Sequence, residues 1–412
     1  MRISTAQFYS QSVQSMDNQQ GELNQLYQEI STGKSLLTPA DNPVGAAQAV
    51  QLTLTSETLT QYTTNQNSAL SALQLEDKTL QSVTSVMASI KSLITQAGDG
   101  SLTDSQRGAI AKTMEGYRSQ LLSLANTSDS NGSYVFSGFQ SKTAPFSNNA
   151  SGGVSYLGDN GVREVQVANT TTIATNDSGA NVFLTVPGLG TSPVAASSPS
   201  NTGNGTITQQ PVITDPTAVS NSDSYTITIG GTSAAPTYTI ADTSPTGGTT
   251  TTGPFTYTAG ASIALGTGMS VTLSGNPNPS DTFTVTPSTA SQNSSLFTTI
   301  DSIISALQTP TTGSGAAGAS LANALSAGTV RFQNSLSAIS VVQASVGGRE
   351  QQLNALQTVT QTNSVQTQSN LSNVTDIDMT SVISQYELQQ TSLQAAQQSF
   401  VKIQGMSLFQ YL

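Results

Sequence analysis

The chain of 412 residues carries 12 basic and 23 acidic side chains, a net charge of −11, and only 8% of its residues are charged. So few basic residues, scattered along the chain, exclude an electrostatic footprint for nucleic acid or for an anionic membrane. Because the chain has no cysteine and no histidine, thiol nucleophiles, disulfides, Cys/His zinc sites and histidine-based triads are excluded as well.

The first twenty residues, MRISTAQFYSQSVQSMDNQQ, contain no apolar core and no small-residue cleavage pattern. We therefore expect no cleaved secretory signal peptide. No apolar run approaches the roughly 18 residues of a membrane-spanning helix. The protein is expected either to stay in the cytoplasm or to be exported by a pathway that recognises a different signal.

An apolar repeat with a period of seven residues predicts a helix near the amino terminus, with Met16, Leu23 and Ile30 in register. Downstream, the stretch ISTGKSLLTPADNPVGAA contains a Gly-Lys-Ser like the end of a phosphate-binding loop. Such a loop needs a further glycine five residues before Gly33, where this chain has Gln28. We therefore interpret the stretch as a break between two helices rather than as a nucleotide site.

Four residues define this predicted hinge. Gly33 suits the left-handed position that follows a helix, and Pro39 prevents simple continuation of the helix. Asn42 followed by Pro43 is typical of an N-cap and a first helical residue, so a second helix is predicted to begin there.

The second helix carries a longer apolar repeat, from Leu52 to Ile94 in steps of seven, in which Gln66 is the one polar residue. A second row lies three positions further on, with Glu76 as its exception. Two such rows over six heptads predict a long helix that is supercoiled on a partner. The predicted core positions of the first row are Leu52, Leu59, Leu73, Leu80, Met87 and Ile94.

A third, shorter helix is predicted next, with Thr103 or Asp104 as its cap, and beyond it the apolar period changes from seven to two. Short Thr-rich runs separated by Gly, Pro, Asn and Asp predict an antiparallel sandwich or barrel. The segment from Pro193, PVAASSPSNTGNGT, is predicted to be a linker into this module. The alternating residues are Val182, Leu184 and Val186; Tyr225, Ile227 and Ile229; Tyr238 and Ile240; Phe255 and Tyr257; Ile263 and Leu265; Val271 and Leu273; and Phe283 and Val285.

Heptad spacing returns near the carboxyl end, where the predicted core positions are Leu325, Phe332, Ile339, Val346 and Leu353. A polar stretch, TQTNSVQTQSN, is predicted to separate this helix from a last one. The last helix is predicted to begin with Asp376 or Asp378 as its cap. Its apolar positions are Met379, Val382, Tyr386, Leu393, Phe400 and Ile403.

These patterns predict an α+β multi-domain chain, in which long terminal α-helices form an antiparallel coiled-coil bundle and central antiparallel β domains project outward. The two seams that include Leu52 and Leu325 are predicted to close on each other within the chain. The outermost helices are marginal alone and expose apolar seams, so a partner is predicted, and an identical copy is the simplest one. The residues predicted for this self-assembly are Met16, Leu23, Leu26, Ile30, Met379, Val382, Tyr386, Leu393, Phe400 and Ile403.

Several motifs resemble the family of flagellar hook-associated protein 3, the hook–filament junction proteins of the flagellin superfamily. The opening MRIST, the stretch ISTGKSLLTPADNPVGAAQAV and the hairpin sequence YLGDNGVREVQV are similar to family motifs. So is the ending DIDMTSVISQYELQQTSLQAAQQSFVKIQGMSLFQYL. The resemblance covers about residues 1–190 and 293–412, whereas residues 193–292 look like an extra β module.

The resemblance implies a domain organisation and a set of partners. Its segments would be inner-tube helices at 1–45 and 376–412, helical-rod parts at 46–130 and 293–375, a β region at 131–192 and an inserted β-sandwich-like module at 193–292. The implied partners are neighbouring copies, the preceding hook-associated protein on the hook side and flagellin on the filament side. The resemblance also implies type III export without a cleaved signal peptide, with a cytoplasmic chaperone on the carboxyl helix.

Three alternatives compete with this interpretation. An enzyme would be limited to carboxylate or Lys/Ser chemistry, and its best carboxylate pair, Asp376 with Asp378, is more simply a helix start. The same stretch lacks the third ligand and the turn glycine of a calcium loop, and no cofactor or metal is expected. A β module with aromatic residues suits an adhesin, although the chain has no tryptophan. Flagellin, the bulk filament subunit, has similar terminal helices, but the two chain ends favour the junction family.

Overall fold

The computed structural model describes residues 5–149, 153–185, 192–288 and 295–409. Long helices occupy both ends of the chain and antiparallel strands occupy its middle, which confirms the predicted α+β class. The helices are α1 (Thr5–Thr32), α2 (Pro43–Ala97), α3 (Asp104–Ala125), α4 (Leu296–Gln308), α5 (Gly315–Thr375) and α6 (Met379–Phe409). The chain divides into two compact units, one made of Met1–Asn65 with Ala355–Leu412 and the other of Gln66–Asn354.

Local sequence signals account for the boundary between α1 and α2. Gly33 has a φ of +70° and its N–H donates to the carbonyl of Glu29 at 2.8 Å, a left-handed cap that ends α1. Asn42 Oδ1 accepts a hydrogen bond from the N–H of Gly45 at 2.9 Å. Asn42 therefore caps α2, as predicted, and Pro43 is the first residue of that helix.

Two other helices begin with predicted caps. Thr103 forms a capping box with Gln106 at the start of α3. The Oδ1 atom of Asp378 accepts a hydrogen bond from the N–H of Thr380 at 3.1 Å at the start of α6. The sequence left a choice of two residues at each site, and the structure selects Thr103 and Asp378.

The prediction of a break at the polar stretch 360–370 is wrong, because α5 continues through it to Thr375 and is 61 residues long. The stretch contains neither proline nor glycine, and Gln, Asn, Ser and Thr each cost only a few tenths of a kcal/mol in a helix. Their side chains also bond within the helix. Thr362 Oγ1 donates to the carbonyl of Thr358 at 2.9 Å, and Gln366 Nε2 donates to Asn370 Oδ1 at 2.9 Å.

The β region of residues 131–185 contains two short hairpins. The strands are β1 (Phe146–Asn148) with β2 (Val154–Tyr156), and β3 (Glu164–Ala168) with β4 (Thr171–Ala174). Both pairs are antiparallel. Val167 of β3 and Ile173 of β4 are buried, so each strand of the second hairpin contributes an apolar residue to the core.

The prediction of a strand at NVFLTV is wrong for its described part, because Ala180–Leu184 form a single π-helical turn. Val182 and Phe183 are both buried, whereas an alternating strand would place neighbours on opposite faces. The ring of Phe183 packs edge-to-face on those of Phe136 and Phe146, with centroids 5.2 Å and 5.4 Å away. With Phe183 in this aromatic cluster and Val182 buried beside it, two adjacent residues face inward. Val186, the third predicted residue, lies outside the described residues.

Helices α3 and α4 lie beside this aromatic cluster and pair with each other. Arg118 of α3 binds Asp301 of α4 through two hydrogen bonds, one of them 2.9 Å long. Its guanidinium also lies 5.9 Å from the ring centroid of Phe297. The heptad criterion misses α4, because its 13 residues are fewer than two heptads.

The remaining strands form a two-sheet module in the middle of the chain. They are β5 (Val194–Ser197), β6 (Thr206–Ile213), β7 (Ser224–Thr232), β8 (Ala235–Thr243), β9 (Thr249–Thr256), β10 (Ser262–Leu265), β11 (Met269–Ser274) and β12 (Thr282–Thr286). One sheet has the order β5-β12-β7-β8-β9 and the other has the order β10-β11-β6. Buried residues of both sheets form one apolar cluster, which makes the module a sandwich.

Most alternating residues predicted for this module are in its core, including Ile227, Leu273 and Phe283. Phe255 of the edge strand β9 is instead 44% exposed. The prediction of a linker from Pro193 is wrong for its first residues, because β5 pairs with β12. The small residues of VAAS are weak strand signals in the sequence, but β12 supplies a complete backbone partner.

Candidate self-assembly surface

Helices α1 and α6 pair in antiparallel fashion within the first unit. The ring of Tyr9 packs edge-to-face on that of Phe400, with the centroids 5.6 Å apart. Farther along α1, Glu22 Oε2 accepts a hydrogen bond from Gln389 Nε2 at 2.6 Å. Rising residue numbers on α1 therefore meet falling numbers on α6.

The residues predicted for self-assembly are partly covered within this helix pair. Leu393 is buried and Met379 is 45% exposed. The side chain of Ile403 lies outside the described residues. The half-buried members of the set are Met16, Leu23, Leu26, Ile30, Val382, Tyr386 and Phe400. Two helices alone bury only one stripe of each, so partial burial is the expected result of this pairing.

A second set of apolar side chains on the same two helices is exposed. Leu388 is 68% exposed and Val401 is 65% exposed. The other members are Val13, Tyr27 and Ile383. Sequence reasoning missed this set because it followed the most regular heptad rows, and these residues lie at other positions around the helices. Single exposed apolar residues are common on protein surfaces, but a set of them on one helix pair suits contact with a partner.

The predicted hinge contacts the segment between α5 and α6. Ser35 N–H donates to the carbonyl of Thr375 at 2.8 Å, and Ile377 N–H donates to the carbonyl of Gly33 at 3.2 Å. These two bonds form an isolated antiparallel bridge between Lys34 and Asp376. The side chains of the same two residues form an ion pair. The segment between α1 and α2 is thus bonded to the segment between α5 and α6 through both backbone and side-chain contacts.

An apolar groove of about 510 Å³ opens beside this bridge within the first unit. The predicted hinge residue Pro39 forms part of its wall, together with Leu36 and Leu37. Val50 and Leu54 of α2 line the groove and are 61% and 53% exposed. The groove is therefore a second exposed apolar area of the first unit.

The predicted seam residues of α2 and α5 differ in burial between the two units. In the first unit Leu52 and Leu59 are half-buried. In the second unit all the predicted members are buried, namely Leu73, Leu80, Met87, Ile94, Leu325, Phe332, Ile339, Val346 and Leu353.

Polar contacts show the direction in which α2 and α5 run past each other in the second unit. Gln343 Nε2 donates to Asp77 Oδ1 at 3.0 Å, and Lys91 Nζ donates to Gln333 Oε1 at 2.6 Å. The higher number on α2 meets the lower number on α5, so these parts of the helices are antiparallel.

The two polar exceptions in the seam of α2 bind the β region. Gln66 and Glu76 are both 0% exposed. Gln66 Nε2 donates to the carbonyl of Val167 in β3 at 2.7 Å. The N–H of Asp177 donates to Glu76 Oε1 at 3.1 Å. The sequence marks both residues as irregular, but their partners are 101 positions away and carry no local signal.

Two carboxyl groups in these contacts have strongly shifted acidities. Burial, followed by the negative charge of Asp177, raises the pKa of Glu76 to about 8. The hydrogen bond from Lys34, together with hydroxyl groups of α5, lowers the pKa of Asp376 to about 2. The first group is in the core and the second is on the surface.

The carboxylates considered for catalysis or calcium binding have structural partners. Asp376 pairs with Lys34 and Asp378 caps α6. Within the described ranges, no three or more Asp, Glu, His or Cys side chains are grouped so as to hold a metal ion. No helix in those ranges combines the length and apolarity needed to cross a membrane.

Comparisons with known proteins agree with this architecture. A family model of the bacterial flagellin N-terminal helical region matches residues 3–141. Flagellar hook-associated protein 3 of Salmonella typhimurium is 27% identical over 410 residues, covering 100% of this chain and 99% of that protein. The protein of the same name from Escherichia coli has the same identity and coverage.

Solved structures show the same likeness. That of flagellar hook-associated protein 3 from Legionella pneumophila has a TM-score of 0.69 at 28% identity, and covers 79% of this chain and 98% of its own. FlgL of Xanthomonas campestris has a TM-score of 0.66 at 27% identity, and covers 77% of this chain and 98% of its own.

Full-length similarity and a shared fold together define the class: the chain is a structural protein of the bacterial flagellum, and its residues 3–141 match the flagellin N-terminal helical region. Within that class it is a relative of flagellar hook-associated protein 3, with the structural role of a hook–filament junction protein. The relatives named above do not favour the alternatives of a bulk flagellin or an adhesin.

Proposed function

We propose that the chain joins hook to filament by helical self-assembly through its terminal helices. Neighbouring copies of the chain are the first partners. The preceding hook-associated protein on the hook side and flagellin on the filament side are the others. In this proposal residues 1–45 and 376–412 form an inner tube, and residues 46–130 and 293–375 form a helical rod around it. The β parts at 131–192 and 193–292 face outward.

The observation that carries the proposal is the uncovered apolar surface of the first unit. It consists of exposed residues on α1 and α6, such as Leu388 and Val401, and of the groove beside Pro39. Burying one such side chain is worth about 1.5–3 kcal/mol, and a helical assembly buries many of them at once. The core of the unit itself is small, so contacts with other copies would add much of its stability.

The remaining parts of the proposal concern transport and chemistry. The protein is exported to the extracellular flagellum without a cleaved signal peptide, and a cytoplasmic chaperone covers the carboxyl helix beforehand. The exposed apolar side chains of α6, such as Val401, are suitable contacts for such a chaperone. The role is structural rather than enzymatic and requires no cofactor, in keeping with a chain that has no His or Cys.

Self-assembly is tested by polar substitution of the exposed apolar set. Leu388→Gln and Val401→Gln should each raise the protein concentration needed for assembly by about tenfold, because each removes about 1.5 kcal/mol or more of burial between copies. Val219→Gln is the matched control, since Val219 is 87% exposed in the sandwich module. Sedimentation of the full chain measures assembly, and circular dichroism checks the fold. Unchanged assembly in both α6 variants would contradict the proposal.

The place of assembly is tested by immunogold microscopy with an antibody against residues 193–292. Labelling at one point between hook and filament is expected. Labelling along the whole filament would instead make the chain a bulk filament subunit. Signal confined to the cell body would overturn the flagellar role altogether.

A further inference from the structure

The contact of Glu76 with the β region contains a carboxyl group that is buried and only half satisfied. Glu76 is 0% exposed. Its Oε1 atom accepts the N–H of Asp177 at 3.1 Å. Its Oε2 atom has no hydrogen-bond partner among the described residues. A buried ionised carboxylate usually accepts several hydrogen bonds or pairs with a cation, so this geometry suits a neutral carboxyl group better.

The nearest cation is already engaged by another carboxylate. The charged groups that act on Glu76 are Asp177, from the segment before the π-helical turn, and Arg349, from α5. Arg349 forms an ion pair with Asp177 and also donates to the carbonyl of Ala174 at 3.2 Å. On α5 the next residue, Glu350, is influenced by Asp77. Glu76 therefore lies beside the negative charge of Asp177. The positive charge of Arg349 is engaged by Asp177 and is only partly available to Glu76.

We propose that Glu76 holds a proton in the folded protein at neutral pH, and that the contact between the β region and α2 therefore weakens as pH rises from mildly acidic to mildly alkaline values. The proton neutralises the carboxylate of Glu76, which within the described part of the chain has neither contact with solvent nor an ion-pair partner of its own. When it leaves, a second negative charge appears beside Asp177 in the core. Three elements meet at this joint, namely α2, α5 and the segment after β4, so a local charge changes how firmly the β region is held.

The acidity of the group agrees with this geometry. Burial is the largest cause, and Asp177 the second, that raise the pKa of Glu76 from its ordinary 4.5 to about 8. Between these two values the folded chain holds one more proton than the unfolded chain. The free energy of unfolding therefore falls as pH rises through this window. The folding equilibrium constant decreases by at most about tenfold per pH unit. Below 4.5 the contribution is complete, and above about 8 it has been lost.

The first test compares the wild-type chain with Glu76→Gln, which keeps the shape and the Oε1 acceptor but cannot ionise. The full chain is studied by hydrogen exchange from about pH 5 to about pH 9, with rates corrected for the intrinsic effect of pH. In the wild-type chain, amides of residues 164–185 should open more often as pH rises, by up to about tenfold per pH unit. In Glu76→Gln their protection should stay constant.

A matched control and a second measurement keep the proposal testable. Glu57→Gln removes a carboxylate from an exposed position of α2 and should behave like the wild type. The same pH trend in wild type and Glu76→Gln would overturn the proposal.

If Glu76→Gln does not fold, carbon-13 labelling of glutamate carboxyl groups in the wild-type chain provides a second test. One resonance should titrate near pH 8, and it should persist in Glu350→Gln; titration of every glutamate near 4.5 would overturn the proposal.

Discussion

Asn323 of α5 holds the start of strand β6 by two hydrogen bonds in opposite directions. Its Oδ1 atom accepts the N–H of Ile207 at 2.7 Å, and its Nδ2 atom donates to the carbonyl of Gly205 at 2.9 Å. The amide oxygen and nitrogen of Asn323 thus take the place of the carbonyl and N–H groups that a neighbouring strand would offer to β6. Eleven positions later, about three helical turns, Asn334 does the same with both backbone groups of Ser192. The sandwich module is therefore attached to α5 by side-chain amides as well as by the chain itself.

Asn323→Ala should destabilise this attachment by about 1–3 kcal/mol, because it leaves two buried backbone groups without partners. Asn323 is only 2% exposed, so water cannot replace the lost amide without rearrangement. Hydrogen exchange at Ile207 and a thermal melt of the full chain measure the effect. Asn363→Ala, at an exposed position of the same helix, should be neutral or slightly stabilising. Equal effects of the two variants would refute the role of Asn323.

Leu80→Ala and Leu353→Ala should each cost about 2–5 kcal/mol of stability, through lost burial and the cavity left behind. Both side chains are 0% exposed in the second unit. Val341→Ala is the control on α5, because Val341 is 65% exposed and its truncation should cost less than about 0.5 kcal/mol. Urea unfolding gives the three values. If Leu353→Ala resembled the control, Leu353 would not belong to a packed seam.

The ion pair between Lys34 and Asp376 should weaken in acid. The pKa of Asp376 is about 2 in the folded chain against an ordinary 3.8, so the unfolded chain binds more protons between these values. The contribution of the pair is therefore complete above pH 3.8 and is lost as pH falls towards about 2. The effect is small, because the pair is on the surface.

Hydrogen exchange at Ser35 and Ile377, the two amides of the bridge, measures this effect. Compared with Asp376→Asn, the wild-type chain should protect them better near neutral pH, and the difference should disappear as pH falls below about 2. Asp17→Asn removes an exposed carboxylate from α1 and should leave both amides unchanged. A difference between wild type and Asp376→Asn that is independent of pH would show that the charge of Asp376 is not its cause.

Gly33→Ala should destabilise the boundary after α1 by about 1–2 kcal/mol, since Gly33 has a φ of +70° and an L-residue resists that conformation. Apart from its neighbours in the chain, no atom of the described residues lies within 4 Å of the added methyl group, so any cost comes from the backbone rather than from a clash. Gly116→Ala makes the same change in α3, again in open space. It should stabilise the chain by about 0.5–1 kcal/mol, because alanine is the better helix residue. Thermal unfolding of both variants provides the comparison, and stabilisation by both would contradict the assigned cap.

Much of the helical architecture could be predicted because its signals are local. The cap at Asn42, the left-handed Gly33 and the rows of leucine each depend on residues within a few turns of one another. The same local reasoning failed at residues 360–370, where a polar composition was taken for a break although nothing in it stops a helix. It also failed at Phe183, where an aromatic cluster from distant segments overrides the alternation of a strand.

By itself the sequence determined the helical ends, the β centre, several helix caps and many of the apolar positions that are buried. Tertiary structure decided which partners the irregular residues would have. Gln66 and Glu76 interrupt the seam of α2, and Asn323 lies on α5 as an ordinary polar residue, yet all three bind backbone groups of the β parts. The physical reason is separation along the chain: periodicity and capping act within a few residues, whereas the partner of a buried polar group is set by how distant segments pack. The acidity of Glu76 follows from that packing and from nothing in its neighbouring sequence.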